Sequence, residues 1–250
     1  VRPVYSVVVP ARDEALVLPV TVGRLVGLLD RLDGPGEVVF VDDGSGDASF
    51  EVMCGAAAAD PRFRVVRLSR NFGHQVALTA GLDFACGDAV VAMDADLQDP
   101  PEVVLELAAK WREGFDVVYA VRDVRVGETR FKRATAALFY RAFNRISETK
   151  VPLDVGDFRL VDRRALDAFA GMRESNRFVR GMFSWVGLRQ TGVLYRREAR
   201  VAGETHYPLR KMLRLALVSL GKRKTNGRFD HIKGQQRHGI LACMKILLLR

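Results

Sequence analysis

Cysteine is scarce in this chain, and no spacing pattern joins the three that it has. Cys54, Cys86 and Cys243 lie far apart, and no C-x-x-C occurs. Three widely spaced cysteines without this motif argue against a disulfide framework and against a structural zinc site. Unpaired cysteines are compatible with a reducing compartment.

Two common phosphate-binding fingerprints are also missing. A dinucleotide-binding domain would carry G-x-G-x-x-G after its first strand, but here Gly44-Ser45-Gly46 follows the second predicted strand and position 49 is Ser. No G-x-x-x-x-G-K-[ST] occurs, which excludes a P-loop.

Long apolar runs are absent as well. The final apolar stretch of the chain, residues 240–249, is interrupted by Lys245 and is only half as long as the roughly 20 residues that a spanning helix needs. The start, residues 1–5, leads straight into a strand-like run, so we expect no signal peptide.

Positive charge is concentrated at one end of the chain. The net charge is +9 over 250 residues, but residues 196–250 hold 14 Lys and Arg against 3 Asp and Glu, whereas the remaining 195 residues hold 25 against 27. A basic terminal segment suits an anionic membrane face or nucleic acid. Aromatic residues do not alternate with these cations, since only Phe229 stands among those of residues 221–239, so nucleic acid is not expected.

The first half of the chain alternates between strand and helix patterns. Apolar runs predict strands over residues 5–10, 37–41, 64–68 and 89–93, and helical spacing predicts helices over residues 15–32 and 76–86. Asp47 and Ser49 are candidate caps of a further helix between the second and third strands. This alternation predicts an α/β fold with a doubly wound, mostly parallel sheet flanked by helices.

Carboxylates follow three of these strands. Glu14, Asp43 and the pair Asp94 and Asp96 would meet at the carboxyl edge of the sheet, where open α/β sheets bind ligands. Two carboxylates one residue apart repel each other unless a cation lies between them, and Mg²⁺ or Mn²⁺ also binds phosphates. We interpret the D-x-D as a divalent-metal site for a diphosphate; a merely polar strand end is the alternative.

Four stretches together resemble glycosyltransferases of family 2 with the GT-A fold, and within them the polyprenyl-phosphate and dolichol-phosphate sugar synthases. These stretches are VVVPARDE, VDDGS, RNFGHQVALTAGLDFACGD and MDADLQDPPE. The resemblance implies metal ligation by Asp96 and Gln98. It also implies nucleotide-sugar binding by Pro10, Arg12, Glu14, Asp43, Asp94 and Ala95.

Basic residues in the second half suit a phosphate-bearing acceptor. A strand over residues 116–120 leads to Arg122, and further cations follow before and within a predicted helix over residues 131–143. A solvated basic helix face is the alternative. The resemblance implies that Arg122, Arg130 and Lys132 hold the acceptor phosphate.

Asp157 is the candidate catalytic residue, since the resemblance places it near the acceptor oxygen, often as a general base. A phosphomonoester has a second pKa of about 6, so its oxygen is already largely ionised at neutral pH. We therefore expect Asp157 to orient the acceptor or a cation. Its alternative role is capping a helix over residues 163–172. Core packing is the plainer interpretation of Phe183 and Trp185, in a helical stretch over residues 178–185, and residues 190–196 predict a short strand.

Residues 196–207 resemble a loop of the family that folds over the donor diphosphate, which implies contacts from Arg200 and His206. We divide the chain into a GT-A domain over residues 1–207, an amphipathic interface helix over 208–220 and a basic, disordered tail over 221–250.

The sequence thus predicts a metal-dependent enzyme that moves a hexose from a nucleotide-diphosphate sugar to a polyprenyl phosphate, with inversion. UDP-glucose is the favoured donor, with GDP-mannose or another acceptor as alternatives. We expect Mg²⁺ or Mn²⁺ as cofactor and peripheral attachment to the cytoplasmic face of the cell membrane, and leave homo-oligomerisation open. A decayed membrane- or nucleic-acid-binding protein is the rival class, although the intact acidic set argues against it.

Overall fold

The computed structural model describes residues 2–123, 155–172 and 179–198. These residues form seven strands and six helices. The strands are β1 (Tyr5–Ala11), β2 (Gly36–Asp42), β3 (Phe63–Arg67), β4 (Ala89–Ala92), β5 (Val117–Arg122), β6 (Val155–Asp162) and β7 (Gln190–Tyr195). The helices are α1 (Leu18–Leu29), α2 (Ser49–Ala59), α3 (His74–Phe84), α4 (Val103–Arg112), α5 (Arg163–Gly171) and α6 (Val179–Trp185).

All seven strands join one sheet in the order β3-β2-β1-β4-β6-β5-β7. The pairs β1–β2, β1–β4, β2–β3 and β5–β7 are parallel, whereas β6 runs antiparallel to both β4 and β5. The predicted mostly parallel sheet flanked by helices is therefore confirmed. β6 is the strand that the sequence pattern did not predict, and it lies between β4 and β5.

Both faces of the sheet are covered, which explains the continuous apolar runs of the central strands. One core cluster includes Tyr5, Phe40 and Phe158, and the other includes Val8, Leu78 and Phe169. α3 approaches the sheet closely at Gly81, where a Cβ would lie 2.2 Å from Val8 Cγ1. Only glycine allows this separation of helix and strands.

The structure answers several of the local predictions. Asp157 lies within β6 and is not a helix cap; Asp162 caps α5 instead, accepting the backbone N–H of Arg164 at 2.8 Å. Phe183 is buried as predicted, but Trp185 is 67% exposed, so a core position for it is wrong. Asp47 accepts the N–H of Ser49 at 2.9 Å, whereas Ser49 Oγ accepts the N–H of Glu14 and caps no helix.

The predicted helix over residues 131–143, the amphipathic helix over 208–220 and the tail over 221–250 lie outside the described residues. Within the described part of the chain, no helix has the length and apolar character needed to cross a bilayer.

Candidate functional site

The predicted carboxylates gather at the carboxyl edge of β1, β2 and β4. Asp43 follows β2 and donates its backbone N–H to the carbonyl of Ala11 at 3.0 Å, which fastens the ends of β1 and β2 together. Beyond β1, Glu14 donates its N–H to Ser49 Oγ at 2.8 Å. Asp13 has a φ of 54°, and its Oδ1 accepts the N–H of Gly46 at 2.7 Å. These hydrogen bonds hold the loop after β1 beside the loop after β2.

Asp43 connects this edge to the loop before α3. Its Oδ1 accepts the N–H of Phe72 at 2.7 Å, and its Oδ2 accepts the N–H of Gly73 at 2.9 Å. Burial raises the pKa of Asp43 and outweighs the lowering by these two N–H groups. Gly44 has a φ of 67°, and a Cβ there would lie 2.5 Å from the backbone of Arg70, so the loop depends on glycine.

The D-x-D loop begins at the end of β4 and is tightly held. Ala95 O accepts the hydroxyl of Thr21 in α1 at 2.9 Å, and Asp96 Oδ1 accepts the N–H of Gln98 at 3.1 Å. Leu97 is fully buried with a φ of 57°, a conformation that is unfavourable for Leu. Strained residues of this kind persist where the surrounding structure fixes them, and they cluster at functional sites.

Asp94 stands among other carboxylates. Burial raises its pKa to about 6; nearby His74 opposes the shift, while Asp157, Asp99 and Asp96 add to it. Its side chain nevertheless keeps 37% of its accessible surface, so a ligand can reach it. A group of carboxylates that disfavour each other's charge is the environment in which a divalent cation is stabilising.

The donor set fits Mg²⁺ or Mn²⁺ in chemical type. Asp96 and Gln98 offer carboxylate and amide oxygens, the ligands that hard cations prefer. Among the described residues, no three His, Cys, Asp or Glu side chains converge on one point. Mg²⁺ commonly uses one or two protein carboxylates and completes its shell with substrate phosphate and water, so this loop suits an ion that arrives with a diphosphate.

Asp157 is brought beside this loop by β6, and three side chains bind its carboxylate. Arg180 of α6 donates Nε to its Oδ1 at 2.8 Å and Nη2 to its Oδ2 at 3.1 Å. His74 Nε2 lies 3.2 Å from Oδ2, and Gln75 donates its amide N–H to the same oxygen at 3.3 Å. Burial would raise the pKa of Asp157, but these partners reverse the shift and hold it far below the usual range.

His74 lies between two acids, 3.2 Å from Asp157 and 3.7 Å from Asp94. Burial lowers its pKa, but the hydrogen bond to Asp157 and both negative charges outweigh burial, so the net shift is upward. Sequence reasoning missed His74, Gln75 and Arg180. The signals were present: a polar pair closing the RNFGHQ loop, and a single cation in an otherwise apolar helical stretch.

Of the predicted acceptor-phosphate residues, the structure describes only Arg122. It ends β5, and its Nε donates to the hydroxyl of Tyr195 at 3.4 Å. A Cβ on Gly156 would lie 3.0 Å from Arg122 Nη2, which places the guanidinium over the residue next to Asp157. Four predicted residues lie outside the described part of the chain: Arg130, Lys132, Arg200 and His206.

Three of the predicted nucleotide-sugar residues remain to be placed. Arg12 is exposed and pairs with Asp13 at 3.3 Å. Pro10 and Ala95 are buried at the ends of β1 and β4.

Comparison with known proteins identifies the family. A model described as Glycosyl transferase family 2 matches residues 6–169. The chain belongs to glycosyl transferase family 2. It is 52% identical over 213 residues to an uncharacterized glycosyltransferase, YkcC of Bacillus subtilis, covering 85% of this chain and 66% of that protein. It is 41% identical over 215 residues to the bactoprenol glucosyl transferase of Shigella phage SfV, covering 86% of this chain and 70% of that protein.

Solved structures of glycosyltransferases share the fold. Glucosyl-3-phosphoglycerate synthase from Mycobacterium tuberculosis, solved with Mn²⁺, UDP and glucosyl-3-phosphoglycerate, matches with a TM-score of 0.64 at 21% identity, covering 88% of this chain and 80% of that one. The mannosyltransferase PcManGT from Pyrobaculum calidifontis, solved with GDP-Man and Mn²⁺, matches with a TM-score of 0.58 at 19% identity, covering 91% and 66%. The chain spans about two thirds of the length of the curated relatives quoted above. The predicted GT-A fold is confirmed.

Proposed function

We propose that this chain transfers a hexose, with glucose from UDP-glucose as the favoured case, to a polyprenyl phosphate. The single observation that carries the proposal is the 41% identity to bactoprenol glucosyl transferases over 86% of the chain. GDP-mannose and other acceptors remain outcomes of the test below.

The site supports the donor half of this proposal through its carboxylates. Asp96 and Gln98 would hold Mg²⁺ or Mn²⁺. When bound there, the cation would stabilise the negative charge of the leaving diphosphate. Pro10, Arg12, Glu14, Asp43, Asp94 and Ala95 would line the nucleotide-sugar site, and Arg200 and His206 would close over the diphosphate. Asp94 keeps an accessible carboxylate beside the metal loop, where it can accept hydrogen bonds from sugar hydroxyls.

The acceptor half rests on Arg122, Arg130 and Lys132, which would neutralise the phosphate. Asp157 would orient the acceptor through His74, Gln75 and Arg180. Its pKa lies far below the usual range, so it is a poor proton acceptor at neutral pH. A phosphate oxygen that is already ionised needs no base, and attack opposite the leaving diphosphate inverts the anomeric centre. Catalysis then comes from positioning and charge stabilisation.

A lipid acceptor also implies a membrane surface. We propose peripheral attachment at the cytoplasmic face, through the amphipathic stretch over residues 208–220 and the basic segment that follows it. Vesicle flotation with anionic lipids would test this part by itself, comparing the full chain with a chain that ends at residue 207. Equal flotation of the two chains would remove those segments as the attachment site.

The decisive experiment is transfer from a panel of UDP- and GDP-sugars to a short polyprenyl phosphate, with Mg²⁺, Mn²⁺ or EDTA. Asp96→Ala is the test variant. Asp88→Ala is the matched control, because Asp88 precedes the same strand, β4, at the opposite edge of the sheet and pairs only with Arg2 through its side chain among the described residues. Metal-dependent transfer that Asp96→Ala loses and Asp88→Ala keeps supports the proposal. No transfer to the polyprenyl phosphate from any donor of the panel overturns it and leaves a different acceptor as the alternative.

A further inference from the structure

Asp99 is the last acid of the D-x-D loop that begins at Asp94. Its exposed fraction is 1%, so it is almost completely buried. It accepts a hydrogen bond from the hydroxyl of Tyr195 at the end of β7, and Arg197 Nε lies 3.3 Å from the same oxygen. Neither the acidic set at the strand ends nor the acceptor cations include this residue. A buried carboxylate that touches no solvent must serve the protein groups around it.

Tyr195 connects Asp99 to the acceptor side. Its hydroxyl proton points to Asp99, which leaves the oxygen to accept Arg122 Nε at 3.4 Å. Burial raises the pKa of Tyr195, and Asp99 raises it further, so the hydroxyl remains a donor throughout the physiological range. The Tyr195 ring packs edge-on against Phe158 with centroids 5.7 Å apart, which fixes where the hydroxyl stands. The chain of hydrogen bonds therefore runs from Arg122 through Tyr195 to Asp99.

The end of β7 and the residues that follow it, 195–198, contact the D-x-D loop at a second point. Glu198 donates its backbone N–H to Gln98 O at 2.9 Å. Its carboxylate binds Arg24 Nη1 of α1 at 2.8 Å, and Arg24 also binds Glu102 through Nη2 at 2.5 Å. Residues 195–198 thus contact Gln98 and Asp99 directly and are joined to Glu102 through Arg24, so the segment that carries Tyr195 is fixed on both sides of its hydroxyl.

We propose that Tyr195 and Asp99 position the guanidinium of Arg122 for the acceptor phosphate, although neither touches a substrate. The inference rests on the proposed function, since it assigns Arg122 to that phosphate. Two competing models make different predictions. If Asp99 acted only as a negative charge near the phosphate, removing the charge would tighten phosphate binding. If the pair were only structural, its loss would weaken donor and acceptor binding alike.

The test is direct binding of a short polyprenyl phosphate, with the matching phosphate-free polyprenol as control ligand, measured together with UDP and Mn²⁺ binding and the melting temperature. Tyr195→Phe keeps the ring but removes the hydroxyl, and we expect the Kd for the phosphate to rise about tenfold, the value for one hydrogen bond to a charged group. Binding of polyprenol and of UDP with Mn²⁺ should stay within about twofold.

Asp99→Asn keeps the shape and an acceptor oxygen while removing the charge. We expect weaker phosphate binding, by about threefold or more, because the Tyr195 hydroxyl is held less firmly. Tyr119→Phe is the matched control, because it also removes a tyrosine hydroxyl. Tyr119 lies on β5 and packs against the core cluster that includes Val8, Leu78 and Phe169.

Each other outcome overturns the inference in a recognisable way. Unchanged phosphate binding in Tyr195→Phe, tighter binding in Asp99→Asn, or equal losses for UDP and phosphate would refute the positioning role alone. A wild-type chain that binds polyprenol phosphate no better than polyprenol would remove the proposed function, and the inference with it.

Discussion

Arg180 binds Asp157 with two nitrogens, at 2.8 and 3.1 Å, although 23 residues separate them along the chain. Asp157 is buried, so its negative charge depends on this partner and on His74. Two predictions follow from the depressed pKa of Asp157, one for activity and one for stability.

The first concerns the pH dependence of transfer. Wild-type kcat/KM should show no acid limb from Asp157 between about pH 5 and 8, since its pKa lies far below that window. Arg180→Met removes one of the two partners whose charge lowers the pKa of Asp157, so the pKa should rise and an acid limb should enter the range. Arg189→Met is the control, because Arg189 lies over the ring of Phe115, away from Asp157. A wild-type limb that Asp157→Asn abolishes would show instead that Asp157 titrates as a base.

The second concerns the free energy of unfolding. A carboxylate with a depressed folded-state pKa stabilises the fold above its unfolded pKa of about 3.9, and this contribution is lost as pH falls toward the folded pKa. Asp157→Asn should therefore be less stable than wild type at neutral pH, and the difference should shrink below about pH 4. Urea unfolding at several pH values measures it. A difference that is independent of pH would mean that packing, not charge, is what the substitution changes.

A third prediction concerns packing at Gly81. Its Cβ would meet Val8 Cγ1 at 2.2 Å and Val41 Cγ2 at 2.9 Å, so Gly81→Ala must push α3 off the sheet. We expect a loss of about 1–3 kcal/mol, the usual cost of overpacking. Gly55→Ala in α2 is the matched control. A Cβ at Gly55 would meet no atom within 4 Å apart from its own helix backbone and chain neighbours, so the better helix propensity of Ala should raise stability by about 0.5–1 kcal/mol. Destabilisation by both substitutions would contradict the packing explanation.

A fourth prediction separates metal binding from nucleotide binding. Asp96→Ala should abolish the strengthening of UDP binding by Mn²⁺ while leaving metal-free UDP binding within about threefold, because Asp43 and Glu14 belong to other loops. Calorimetric titration with and without EDTA measures both. The Asp88→Ala variant should behave like wild type. Loss of metal-free binding in Asp96→Ala would mean that the D-x-D loop had collapsed, which the unfolding curve would reveal.

The proposed donor side was largely predictable from sequence, because each of its acidic residues lies close after a strand in the chain. Three of the first four strands, β1, β2 and β4, are followed within three residues by an acidic residue, and parallel strands bring their carboxyl ends to one edge. The structure accordingly places Asp43 and Asp94 at that edge. β2 and β3 also lie within one or two residues of their predicted bounds.

The proposed acceptor side was less predictable, because its contacts join distant parts of the chain. The alternation in Val155–Asp162 includes Asp157 and Arg159, two buried charged residues, which hides a core strand from a hydrophobic pattern. Arg159 satisfies its guanidinium on the backbone carbonyls of Gly156 and Asp157, and burial lowers its pKa to about 10. No spacing rule connects Asp157 to Arg180, or Asp99 to Tyr195.

The place of β6 in the sheet has a consequence for synthesis of the chain. β5 is made before β6, yet among the described strands it pairs only with β6 and β7. The four strands β3-β2-β1-β4 can assemble as soon as residue 92 has left the ribosome. By contrast, 32 residues separate the end of β5 from the start of β6, its first partner among the described strands. Until β6 is made, the apolar β5 segment lacks both of its described partners, and an apolar strand without its partners is the kind of element that chaperones protect and that promotes aggregation when synthesis stalls.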